Sequence, residues 1–185
     1  LDGSGQNRIR YLSSVNGVKD LFAQLKGKLT ATDQVLIAIN DHGSVVENET
    51  TIVLQDAEMK SSEFATLVKS LPTKRILSIF EQCFSGGFVR HVAEDQTVAM
   101  AASTNREFSW STDDMRFNEF FYHIIAAFAF QTHDGKPVNA DRNANGKVSA
   151  QEAFAYAVEK DAMSESPMLE AAPNSGMAAL IGVSF

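Results

Sequence analysis

Cysteine occurs once in these 185 residues, at Cys83, so no internal disulfide can staple the fold and the thiol is either an inert core group or a reactive one. Positive charge is scarce. Sixteen Lys and Arg against 23 Asp and Glu leave a net charge of −7, and with Lys and Arg scattered along the chain this argues against a nucleic-acid binder, which would show a basic face or stripe. Long apolar runs are missing too: the longest, residues 124–130, is far below the roughly 18–20 residues that span a bilayer. Repeats and low-complexity segments are absent, and what remains, 44% apolar and 21% charged, suits one domain with a sizeable core. The chain opens on Leu1 rather than Met, which sets the expectation of a processed or trimmed piece whose signal peptide, if any, is already gone.

Two stretches share one design. The apolar run from Arg75 to Phe80 ends in Glu81, Gln82 and Cys83, and the earlier run from Val35 to Ile39 ends in Asn40, Asp41, His42 and Gly43. Each reads as a strand that delivers a reactive side chain to its C-terminal end. Parallel neighbours in an open α/β sheet would bring His42 beside Cys83, at the edge where such sheets bind ligands. The 41 residues between them leave room for one crossover.

The rest of the chain fits that scheme. Val15, Val18, Leu21, Phe22 and Leu25 recur at helical spacing and predict a helix over 14–28. Residues 44–55 read as a hairpin with a polar tip. A helix over 61–71, capped by Ser61 or Ser62 and stopped by Pro72, supplies the crossover. Residues 97–103 give a third core strand, 117–130 a strongly apolar helix, 150–160 a short helix and 177–185 a last strand. Strands alternating with helices predict a layered α/β domain with a largely parallel sheet.

A thiol becomes a nucleophile when an imidazole lowers its pKa, and acyl chemistry then needs donors aimed at the developing oxyanion. Cys83, His42 and the amides of Gly43 and Cys83 supply those parts. Asp41-His42-Gly43 and Glu81-Gln82-Cys83-Phe84-Ser85-Gly86 resemble the His-Gly and Glu-Ala-Cys-x-Ser-Gly motifs of the legumain family of cysteine endopeptidases. Residues 101–110 resemble the family's segment lining the pocket for the residue before the cut, and 117–123 a segment of its bacterial members. The resemblance covers most of residues 30–185. It implies a caspase-like three-layer α/β/α sandwich with a mostly parallel sheet, a Cys83–His42 dyad, and substrate contacts from Glu81 and Ser109.

Two departures stand out. The family opens with a central strand before its first helix, followed by a loop carrying an Asn that orients the His and an Arg of the specificity pocket; this sequence shows neither, so the front of the domain is expected to be missing. A segment before Leu1, or a cleaved piece of the same protein, is then an expected partner. Where legumain-type members have two serines, this chain has Phe108 and then Ser109. Glu81 disfavours an acidic residue before the cut; the resemblance implies a preference for Asn, and without the family's Arg a preference for Lys or Arg follows close behind.

A second constellation runs from Asp141 to Glu152. Asp141, Asn143 and Asn145 fall at the first, third and fifth positions of an EF-hand loop, Gly146 at the sixth, Lys147 supplies the seventh-position carbonyl and Glu152 is the twelfth. Only two of these ligands are acidic, which predicts a weak calcium site in the range of extracellular modules. That range sets the expectation of a secreted or periplasmic protein. His91, His123 and His133 have no acidic or sulfur partners at ligand spacing, so no zinc site is expected. The competing reading is a calcium-stabilised binding domain on the same fold that no longer cleaves.

Overall fold

The computed structural model describes residues 10–93, 97–111, 118–171 and 176–184. Its elements in chain order are α1 (Val15–Lys28), β1 (Gln34–Ile39), β2 (Gly43–Val46), β3 (Glu49–Val53), β4 (Glu58–Lys60), α2 (Ser61–Lys69), β5 (Arg75–Phe80), α3 (Gly86–Val92), β6 (Val98–Ala101), α4 (Glu119–Ala129), β7 (Lys147–Ser149), α5 (Ala150–Lys160), β8 (Met168–Ala171), α6 (Met177–Leu180) and β9 (Gly182–Ser184).

The central sheet has the order β1-β5-β6-β8. β1, β5 and β6 are parallel, and β8 closes the far edge antiparallel to β6. β5 is buried from Ile76 to Phe80, as a strand covered on both faces must be, and its side chains divide the interior in two. Ile76 and Phe80 join Phe22, Phe64, Val68, Phe88 and Val92 under α1, α2 and α3. Leu77 and Ile79 join Met100, Phe120, Ile124 and Ala153 under α4 and α5. The result is a mixed α/β domain whose mostly parallel sheet is sandwiched between helices, the architecture of caspase-like folds.

β1 is the outermost strand, and its other edge is unpaired among the described residues. Leu36 is 56% exposed. An apolar groove of about 440 Å³ runs between β1 and α1, lined by Leu21, Leu25, Val35, Ile37 and Leu54 among others. No helix of the described residues is long and apolar enough to cross a membrane.

Local chemistry explains where elements differ from the sequence expectations. α1 starts where Ser14 accepts from the Gly17 amide at 3.0 Å. α2 is capped from outside: neither Ser61 nor Ser62 is its cap, and the Glu49 carboxylate instead accepts from the Ser62 amide at 2.6 Å and the Ser61 hydroxyl at 3.1 Å. The hairpin turns through Glu47 and Asn48, both at positive φ, and gains a third strand, β4, too short to show a period. The last strand leaves the central sheet altogether. β9 pairs with β7 beside the 141–152 loop, and the strand that completes the central sheet is β8.

Candidate active site

The parallel register places the two reactive loops at one level. Ile39 pairs with Phe80 at the ends of β1 and β5, and His42 and Cys83 each follow three residues later. The ladder continues a step beyond both strands, Glu81 N donating to Ile39 O at 3.2 Å and Ala102 N to Phe80 O at 3.0 Å. Level strand ends thus deliver His42, Cys83 and the loop after β6 to one side of the sheet. His42, Glu81, Cys83 and Ser109 line one cavity of about 250 Å³, together with Asn40, Asp41, Gln82, Trp110, Ser111 and Asn118.

The Cys loop is fixed from below. Phe84 sits at φ +62° and its amide donates to Glu107 O at 2.8 Å, which turns the chain sharply after the thiol. Ser85 is fully buried, its hydroxyl accepting from the Ser103 amide at 3.2 Å and meeting the Ser103 hydroxyl at 3.2 Å. Gly86 packs so closely on the loop after β6 that an added Cβ would lie 2.8 Å from Ser103 O and 2.9 Å from Asn105 N.

The His loop abuts it. A Cβ on Gly43 would fall 2.0 Å from the Cys83 carbonyl oxygen, so only glycine lets the two backbones meet here. Val53 N donates to His42 O at 3.0 Å in the pair next to Gly43–Ile52. Alternation along an antiparallel ladder therefore turns the Gly43 amide away from β3. His42 is exposed, and its own amide is bonded to Asp41 Oδ1 at 2.8 Å. Cys83 is half-buried; its Sγ meets Ser109 O at 3.9 Å, and no hydrogen bond joins it to His42 among the described residues.

Glu81, two residues before the thiol, is 5% exposed. Burial pushes its carboxyl up to about 7, with the Asn118 backbone amide pulling the other way. Its Oε2 is buried without a partner among the described residues. The Ser109 hydroxyl donates to the Glu81 carbonyl, which ties the wall after β6 to the strand carrying the thiol. Arg106, three residues before Ser109, is exposed and is not among the residues that line the cavity.

Asn118 was not anticipated by sequence reasoning. Its Oδ1 caps α4 by accepting from Phe121 N at 3.0 Å, while its Nδ2 donates to Trp110 O at 2.7 Å and Ser109 Oγ at 3.1 Å. The available signal was an Asn immediately before an apolar helical run, the mark of a cap; nothing local shows that its other end reaches the cavity.

The 141–152 loop lies elsewhere in the fold and closes on itself. Asp141 accepts from Asn145 N at 3.1 Å and from Gly146 N at 2.8 Å; Asn143 Oδ1 accepts from Asn145 N and Asn145 Oδ1 from Lys147 N. Ala144 and Gly146 take the positive φ these turns need. Glu152 Oε1 reaches back to the Arg142 and Asn143 amides, and its Oε2 and the Ser149 hydroxyl form a capping box on α5. Burial opposes the charge on Glu152, but the Ser149, Asn143 and Arg142 donors outweigh it and hold the carboxyl below its ordinary range. Asp141, Asn143, Asn145 and Glu152 thus turn oxygen atoms toward one small ring of backbone, a donor set of the hard type that calcium takes. Of the histidines, His91 meets Ser61 Oγ at 2.8 Å and His133 meets the Tyr122 hydroxyl at 2.9 Å.

A thiol and an imidazole thus follow adjacent strand ends, over a buried carboxyl group, on a caspase-like sheet. The chain belongs to the peptidase C13 family, the legumain family of cysteine peptidases, whose model matches residues 7–161. Among solved structures it is similar to protein GSU0716 from Geobacter sulfurreducens, at 13% identity and a TM-score of 0.63, covering 90% of this chain and 76% of that one. That likeness is one of fold. No curated protein matches the sequence.

Proposed function

We propose that this chain is a cysteine endopeptidase that works through a Cys83–His42 dyad. The observation that carries the reading is the level placement of His42 and Cys83 at the ends of paired parallel strands, lining one cavity with Glu81. In this reading His42 takes the thiol proton and Cys83 Sγ bonds to the scissile carbonyl carbon. The Gly43 and Cys83 amides stabilise the oxyanion that forms. The C–N bond then breaks as His42 returns the proton to the leaving amine. Water, deprotonated by His42, attacks the thioester, and the proton goes back to sulfur as the acid leaves.

The side chain before the cut enters the cavity over Glu81, with Ser109 on its wall. A carboxyl that titrates near neutrality is matched to an amide, with which it can both donate and accept, and to a cation once ionised; Asn ranks first and Lys or Arg second. Labelling with an iodoacetamide probe, followed by cleavage of a peptide library, tests the proposal. Expected are a single adduct on Cys83, lost with His42→Ala or excess substrate, and cleavage after Asn or a basic residue. Failure of both would leave the non-cleaving binding domain as the better reading.

The same reading gives the 141–152 loop a calcium ion, held by Asp141, Asn143, Asn145, the Lys147 carbonyl and Glu152. What supports it is the ring of Asx turns closed by Glu152. The ion would tie α5 to β7 and have no part in bond cleavage. A secreted or periplasmic setting, where calcium is plentiful, goes with this proposal.

A further inference from the structure

The rim of the cavity carries a row of aromatic side chains that the dyad does not use. Phe84 follows the thiol directly, and its ring lies 5.2 Å, centroid to centroid, from that of Phe108; Phe108 in turn meets Trp110 edge-on at 6.3 Å. Phe108 is 57% and Trp110 50% exposed. Trp110 also lines the cavity, so the row joins the residue after the thiol to the cavity wall. The family pattern fixes neither phenylalanine: Phe84 fills the variable position of the Cys motif, and Phe108 stands where legumain-type members have serine.

The backbone under the row is held in place. The Phe84 amide donates to Glu107 O at 2.8 Å, the Ser109 hydroxyl to Glu81 O, and the Trp110 amide to Glu165 Oε2 at 2.8 Å. Rings left open to water on a fixed backbone add little to the fold. Contiguous apolar surface of this kind marks a place where something binds.

We propose that Phe84, Phe108 and Trp110 form a subsite for a bulky apolar side chain, aromatic or large aliphatic, on the substrate residue immediately before the one that enters the cavity. The proposal rests on the peptidase reading and narrows its substrate class.

Two observations place the occupant. The sheet order β1-β5-β6 sets His42 on one side of Cys83 and the loop after β6 on the other, with Ser109 O 3.9 Å from Sγ. His42 protonates the leaving amine, so the part of the substrate beyond the cut lies toward β1 and the part before it over the loop after β6. The second observation is alternation. Ser109 turns its hydroxyl inward to Glu81, while Phe108 and Trp110 on either side of it stand open to solvent. An extended peptide alternates in the same way: with one side chain in the cavity, the residue before it turns to the opposite face, where the row stands. An apolar side chain laid there removes apolar surface from water on both partners.

The experiment gives the full chain peptides with Phe or Ala before Asn, the same pair before Lys, and a set with Phe or Ala after the cut. Expected is a kcat/KM about tenfold higher for Phe than for Ala before the residue in the cavity, the scale of one partly buried apolar side chain. Phe108→Ser should bring that ratio toward one by slowing the Phe peptides, and Phe108→Leu should keep most of it. Equal rates for the Phe and Ala peptides, a preference confined to the residue after the cut, or an undiminished ratio in Phe108→Ser overturns the subsite. So does a dimer in sedimentation that Phe108→Ser dissolves while the peptide preference stays unchanged, since the row would then be a contact between two copies.

Trp110 is the chain's single tryptophan, so its emission reads binding where nothing is cut. In Cys83→Ala the peptide with Phe before Asn should change that emission and bind about tenfold more tightly than its Ala counterpart. That difference, with no turnover by the wild type, would sink the peptidase reading and leave the subsite standing. Turnover without a Phe preference does the reverse, and neither binding nor turnover overturns both.

Discussion

Gly43 and Cys83 meet backbone to backbone, so closely that a methyl group on Gly43 would sit 2.0 Å from the Cys83 carbonyl oxygen. The contact joins the loop that carries the imidazole to the loop that carries the thiol, on two strands already locked in register. Gly43→Ala cannot be absorbed by a side-chain movement, because the obstacle is a carbonyl. The loops must separate, and a misplacement of about 1 Å at a reacting centre costs on the order of 100-fold in rate. We expect kcat/KM for peptide cleavage to fall by at least that factor while the circular dichroism spectrum stays native; full activity in Gly43→Ala would remove Gly43 from the site.

Cys83→Ala should abolish cleavage and leave the fold intact. The thiol is half-buried and, among the described residues, its Sγ makes one long hydrogen bond, to Ser109 O at 3.9 Å, so its loss opens little space. Thermal melts of the variant should lie within a few degrees of wild type. A collapse in melting temperature would mark Cys83 as a packing residue.

Specificity should turn with pH. Glu81 is raised to about 7 by burial, so it is mostly neutral below that pH and mostly ionised above it. Cleavage after Asn should dominate at pH 5.5–6, and cleavage after Lys or Arg should gain as pH rises through 7. Glu81→Gln should erase the trend and lose the basic substrates. Stability carries the same sign: a carboxyl raised in the folded state contributes most below its unfolded pKa and least above 7, so wild type should lose stability relative to Glu81→Gln between about pH 4.5 and 8. Competing peptide substrates and denaturant titrations across that range measure both.

Calcium should raise the melting temperature. For a dissociation constant of about 0.1–1 mM, 10 mM calcium adds roughly 1.4–2.7 kcal/mol by linkage. Glu152→Ala should be less stable without calcium, because it also breaks the capping box on α5, and should show no calcium-dependent increment. Magnesium at the same concentration serves as the control.

Phe64 meets Phe22, Phe80 and Phe88 edge-on, with centroids 5.6–6.0 Å apart, and it is 1% exposed. It is the pivot of the core under α1, α2 and α3. Phe64→Ala should cost about 3–5 kcal/mol by urea unfolding. A loss under 1 kcal/mol would mean that these helices pack loosely on the sheet.

The sequence showed most clearly what is local. Apolar runs that stop at Asn40 and Phe80 announced the two strand ends, and the twelve-residue spacing from Asp141 announced the turn-rich loop. What it hid depends on partners distant in the chain. Glu49 capping α2 is set by how β3 folds back, and β8 carries no alternation because residues 168–171 are all half-buried. Glu165 lies in an unremarkable polar stretch. It meets Trp110 and Asn118 because β8 returns antiparallel against β6, a pairing no window of neighbouring residues contains.

That return has a consequence for the order of folding. β1, α2 and β5 lie close in sequence and can assemble with few long loops to close, whereas β8 reaches β6 only by pairing Ala171 with Val98 across both helices of the second layer. Long closures are slow. Refolding should therefore restore helical signal first and tryptophan emission later. Competence to cleave should return in step with the tryptophan: the thiol and imidazole would stand at their strand ends before the cavity between them has its outer wall.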